Sequence, residues 1–85
     1  MIYYYPYPEW FNDRKQPTIT PEDTLILWGA GRIGGVAAHC LKQRGLPVQA
    51  FCDIAKDKWG TTFCGSPVIS PEQLKSEYPN AVVLI

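Results

Sequence analysis

The stretch TLILWGAGRIGGVAAHCLKQRG, residues 24–45, decides the fold. "TLILW" (Thr24 to Trp28) is short, apolar and unbroken, as a strand buried on both faces of a parallel sheet should be. Three spaced glycines follow, and from Ile33 the period changes. Ile33, Val36, Ala37, Cys40 and Leu41 fall at i, i+3, i+4, i+7 and i+8, the stripe of a core-facing helix. Lys42 and Arg44 lie in its last turn, Gly45 suits a left-handed cap, and Pro47 prevents continuation.

Beyond the helix, "LPVQAFCD" reads as a second strand, with Val48, Ala50 and Cys52 on one face and Phe51 on the other. Strand, glycine turn, helix and strand within about thirty residues form a βαβ unit. The next segment, AKDKWGTTFCGSPVI, is expected to be mostly loop, with Val68 and Ile69 as a short strand. Ser70, Pro71 and Gln73 make a capping box around a first-position proline. Leu74 and Tyr78 share a face of the brief helix that follows, and Pro79 stops it. "AVVLI" closes the sequence as a third apolar strand. The expected fold class is α/β, a Rossmann-like parallel three-layer sheet reduced to its first βαβαβ half. The sequence then reads as a fragment or truncated domain, with an open edge along the third strand.

Residues 1–23 read as an arm distinct from the nucleotide-binding half-domain at 24–85. "YYYPYPEWF" crowds aromatics and prolines together, which blocks a helix and favours extended backbone. "TPED" resembles one helical turn, with Thr20 as its cap and Pro21 in first position. The tyrosines suit docking onto a further domain or a second copy of the chain, or stacking on a sugar.

Bulk composition narrows the classes. A sequence of 85 residues is one small domain or part of a larger one, and buries only roughly 60–65% of its unfolded surface. Net charge is zero, so no global field draws nucleic acid or an anionic membrane. No apolar run approaches the ~20 residues needed to span a bilayer. The start lacks the basic and apolar regions of a secretory signal. Three cysteines without a Cys-x-x-Cys pair, and a single histidine, argue against a disulfide framework or zinc site. A cytoplasmic location with reduced thiols follows as the expectation. Neither a nucleophile elbow, nor paired carboxylates, nor a Tyr-x-x-x-Lys pair is present, so catalytic residues are not visible. The chain is at most the binding part of a transferase or oxidoreductase.

The glycine turn carries the chemistry. Gly29 permits the tight exit from the strand, Gly31 lets a phosphate approach the backbone, and Gly34 lets the helix pack closely on the sheet. Amides at Ala30, Gly31, Arg32, Ile33 and Gly34, with the helix dipole, favour an anion there, and the Arg32 guanidinium adds a charge-assisted contact. Asp53 closes the second strand 19 positions after Gly34, where such a site places the acid that accepts ribose hydroxyls. Its charge favours NAD over a 2′-phosphorylated form, against which Lys56 and Lys58 work. His39 falls off the apolar stripe and reads as solvated. Cys40 and Cys52 read as small core residues and Cys64 as a loop thiol. Trp28 borders the turn as core or as a stacking surface, Trp59 anchors its loop, and Lys56 to Lys58 form a solvated loop.

Gly29-Ala30-Gly31, Asp53, Gly65-Ser66-Pro67-Val68 and Pro71-Glu72-Gln73-Leu74 together give the sequence a family likeness over residues 24–85. It resembles the N-terminal nucleotide-binding domain of PglD-type bacterial sugar acetyltransferases, a module also attached to sugar-modifying methyltransferases and oxidoreductases. The NAD-binding domain of Rex-type repressors is a weaker match. The resemblance implies a bound nucleotide-sugar or NAD as small-molecule ligand, with catalysis elsewhere in bacterial sugar or glycan modification. The alternative is a structural or interaction domain that keeps the fold and mediates assembly without a ligand.

Overall fold

The structure, a computed structural model, describes residues 2–5 and 22–85. Its strands are β1 (Tyr3–Tyr5), β2 (Leu25–Trp28), β3 (Ala50–Cys52), β4 (Thr62–Phe63), β5 (Ser66–Ile69) and β6 (Val82–Leu84). The helices are α1 (Arg32–Gln43) and α2 (Pro71–Glu77), with a 3₁₀ turn at Lys56–Lys58. The strands form one mixed sheet in the order β1-β6-β2-β3-β5-β4, parallel except where β4 runs against β5. This is a small α/β domain.

Alternation along the strands divides the core. Leu25, Leu27, Phe51, Val68 and Leu84 point to one face of the sheet, where Ala37, Ala38 and Leu41 of α1 cover them. Ile26, Ala50, Cys52, Ile69 and Val83 point to the other, with Leu74 of α2. Val48 precedes β3 and packs with Phe51 rather than with Ala50, because the strand's alternation begins only at Ala50.

The buried stripe of α1 keeps Ala37 and Leu41 of the expected one but not its other members. Ile33 is 76% exposed and Val36 57% exposed, and Cys40 is only half-buried. The inward residues are Gly34, Ala37, Ala38 and Leu41, still at i, i+3, i+4 and i+7 but rotated toward the small side chains. Close approach explains this. A Cβ at Gly34 would collide with the Gly29 carbonyl oxygen, so α1 starts with its backbone against the end of β2. The other helix end follows its sequence cues. Gly45, at φ 76°, donates to Lys42 and Leu46 donates back to Leu41, a left-handed cap in which Leu46 joins Leu41 in the core.

Three further points correct the sequence reading. The segment after β3 holds a hairpin, β4 and β5, turned by Cys64 and Gly65 with φ of 49° and 82°. It lays the Phe63 ring edge-on against Phe51, with centroids 5.0 Å apart. "AVVLI" is therefore the fourth core strand, and it lies beside β2. The expected open edge of that strand is occupied, since β1 pairs with it from Tyr3↔Val82 to Tyr5↔Leu84. Part of the aromatic segment thus belongs to the sheet, while the turn expected at Thr20 and Pro21 lies outside the described residues. The Ser70 hydroxyl caps α2 by accepting from the Gln73 amide, but the Gln73 side chain bonds Glu77 instead of closing the box.

Gly34→Ala tests the close approach. Alanine favours a helix interior by about 1 kcal/mol over glycine. Here the methyl meets backbone, and overpacking of this kind costs about 1–3 kcal/mol or more. Denaturant unfolding should therefore show net destabilisation, whereas Gly31→Ala, whose Cβ would meet nothing within 4 Å, should lose only the roughly 0.5–1 kcal/mol by which glycine is preferred at an N-cap.

Candidate functional site

Because β2, β3 and β6 run parallel, their carboxyl ends share one rim of the sheet. Strand order reverses there: from β2 the chain steps outward to β3 and β5, then returns through α2 to β6 on the other side of β2. Crevices at such reversals are where open α/β sheets bind ligands. A pocket of about 500 Å³ lies at this point, lined by Leu27, Trp28, Gly29, Gly31, Arg32, Ile33, Gly34, Ala37, Leu84 and Ile85.

The glycine turn forms the pocket's floor. Gly29, at φ 109°, donates to the Cys52 carbonyl and ends the β2 ladder. Gly31 is the extended N-cap of α1; no side chain caps the helix and no acid lies in its first turn. Space above Gly31 is open, so nothing fills the place a side chain would take. Arg32 is exposed at the mouth. Five of the seven sequence-predicted residues, Gly29, Gly31, Arg32, Ile33 and Gly34, thus line one cavity.

Ala30 and Asp53 are brought together on the β3 side of the turn instead. Asp53 Oδ2 accepts from the Ala30 amide at 2.9 Å, and Oδ1 accepts from the Ala55 amide at 2.9 Å. Lys58 Nζ donates to the Ala30 carbonyl at 3.2 Å and lies 3.6 Å from Asp53 Oδ2. Both polar atoms of the buried residue Ala30 are therefore gripped by the loop after β3. Trp59 Nε1 donates to the Asp53 carbonyl at 2.6 Å, anchoring that loop as its sequence suggests. The Asp53 carboxyl is held below its ordinary range, first by the Ala30 amide, then by that of Ala55, with Lys58 adding to these against partial burial. Sequence reading placed Lys58 in a solvated loop with Lys56. No local signal separates the two lysines; the 3₁₀ turn alone aims one of them inward.

The cysteines and His39 stand apart from this arrangement. All three thiols are free, and burial, followed by the charges of Asp53 and Glu72, pushes Cys52 up to about 11. His39 is exposed. Among the described residues, no group of three or more His, Cys, Asp and Glu side chains could hold a metal ion, and no helix is long and apolar enough to cross a membrane. No family model matches the chain, and no curated protein matches it.

The Asp53 clamp has a pH signature. A carboxyl whose folded pKa lies below its unfolded value, near ~4, contributes stability that is complete above that value and lost as pH falls through the folded one. Asp53→Asn keeps the shape but turns an amide toward one backbone donor, and should destabilise the chain by about 1–3 kcal/mol at pH 7. The gap between wild type and variant should narrow below about pH 4. Thermal unfolding across pH measures it; a gap that stays constant would remove the carboxylate from the clamp.

Proposed function

We propose that the chain is a Rossmann-like nucleotide-binding module, three layers deep, that holds NAD or a nucleotide-sugar for catalytic groups supplied elsewhere. The observation carrying this reading is the open pocket over the start of α1, at the point where strand order reverses. An anionic phosphate gains there from uncapped helix amides and from Arg32. Ribose falls on the β3 side, where each Asp53 oxygen already accepts one backbone amide and keeps further lone pairs for a hydroxyl. The likeness to PglD-type modules supports sugar or glycan modification as the setting. A cytoplasmic location accords with the free thiols.

One observation favours the alternative, a structural domain without ligand. Asp53 is fully useful as a brace for Ala30, and a brace requires no nucleotide. Exposed Ile33 and Val36 on α1 would then serve assembly with another domain or copy.

Gly31→Val separates the two. Its backbone φ of −126° is open to any residue and a Cβ there meets nothing, so the variant should fold, with a loss of about 1 kcal/mol from the poorer N-cap. Its side chain would nevertheless occupy the phosphate position. A nucleotide at 100 times its dissociation constant should stabilise wild type by about 2.7 kcal/mol in thermal unfolding, and Gly31→Val should lose that gain. If no nucleotide shifts the wild-type midpoint, the structural reading replaces this one.

A further inference from the structure

We propose that Lys58 is a positioning residue: by holding the Ala30 carbonyl it turns the Gly31 amide toward the pocket and so sets how well the pocket takes an anion. The anion's identity as a phosphate rests on the nucleotide-binding reading above; the orientation rests on hydrogen bonds alone. A trans peptide unit carries its carbonyl and its amide on opposite sides, and the described residues contain no cis peptide bond. Two successive units make the turn. In Gly29–Ala30 the amide donates to Asp53 on the β3 side, so the carbonyl points the other way. It meets the start of α1, where a Gly34 Cβ would come.

In Ala30–Gly31 the order is reversed. Here the carbonyl accepts from Lys58 Nζ at 3.2 Å, so the Gly31 amide points away from Lys58. On that side lies the pocket, which Gly31 lines and which neither Lys58 nor Asp53 lines. Among the described residues no acceptor meets this amide. Sterics do not fix the unit. Reversing it rotates ψ of Ala30 and φ of Gly31 together, and glycine tolerates the positive φ that results. The reversed unit would present the Ala30 carbonyl oxygen to the pocket, replacing a donor by a partial negative charge. Lys58 opposes that reversal through its bond to the carbonyl. Its ion pair with Asp53, at 3.6 Å and with the lysine side chain 42% exposed, is of the kind that contributes little by itself.

Residual dipolar couplings of the backbone amides, measured on the full 85-residue chain, read the direction of each N–H bond. Lys58→Met keeps the stem and removes the donor. It should shift the Gly31 coupling while those of β2 and β3, which report the fold, stay as in wild type. Lys58→Arg restores a donor and should bring the Gly31 coupling back. Lys56→Met removes the same charge two positions away and should leave it unchanged. Titration calorimetry with ADP gives the second readout. Lys58→Met should bind at least about tenfold more weakly than wild type, and Lys58→Arg and Lys56→Met within about threefold of it. An unmoved Gly31 coupling in Lys58→Met, or an equal loss of affinity in Lys56→Met, would overturn the positioning role and leave nucleotide binding intact. ADP that fails to bind wild type would instead defeat the nucleotide reading and the anion role with it.

Discussion

The backbone contact between Gly34 and the Gly29 carbonyl governs the rest of the molecule. It brings the first turn of α1 directly over the end of β2, with no side chain between them. Once the helix is that close, only small residues fit beneath it, so Ala37 and Ala38 face the sheet and Leu41 fills the space farther along. The larger Ile33 and Val36 rotate outward as a result. The same placement leaves a space beside the glycine turn, lined on the helix side by Arg32, Ile33, Gly34 and Ala37, and the pocket is that space. Packing and cavity have one cause.

A close helix start also concentrates positive potential at the turn, since no side chain caps its first amides. The Asp53 carboxylate stands behind this field and ties the Ala30 amide to the end of β3. Lys58 completes the tie through the Ala30 carbonyl and offsets the carboxylate's charge. The turn is thereby fixed from the β3 side and open on the β6 side.

Local cues were enough for much of this. The apolar run at Leu25, the Gly45 cap and the Ser70 cap all depend on residues near in sequence. Four features were not legible, each for a physical reason. Hydrophobic period gives the direction of an apolar stripe but not its contact distance, so it favoured bulky Ile33 and Val36 over Gly34 and Ala38 beside the correctly placed Ala37 and Leu41. The Cys64-Gly65 hairpin lacks the usual Asn or Asp at its first turn position, so nothing marked it. The side of β2 on which "AVVLI" lands is set by the long crossover through α2, and residues 82–84 carry no sign of it. The pairing of Tyr3–Tyr5 with β6 is equally non-local.

That last placement changes what the site can be. With Val82–Leu84 beyond β5, the carboxyl end of β2 would face only Asp53 and its loop, and any ligand would sit among polar groups. With β6 beside β2 instead, Leu84 and Ile85 form a second wall, and the turn separates two unlike surfaces. The polarity of the cleft therefore follows from one topological choice, made by the crossover and not by any residue that lines it.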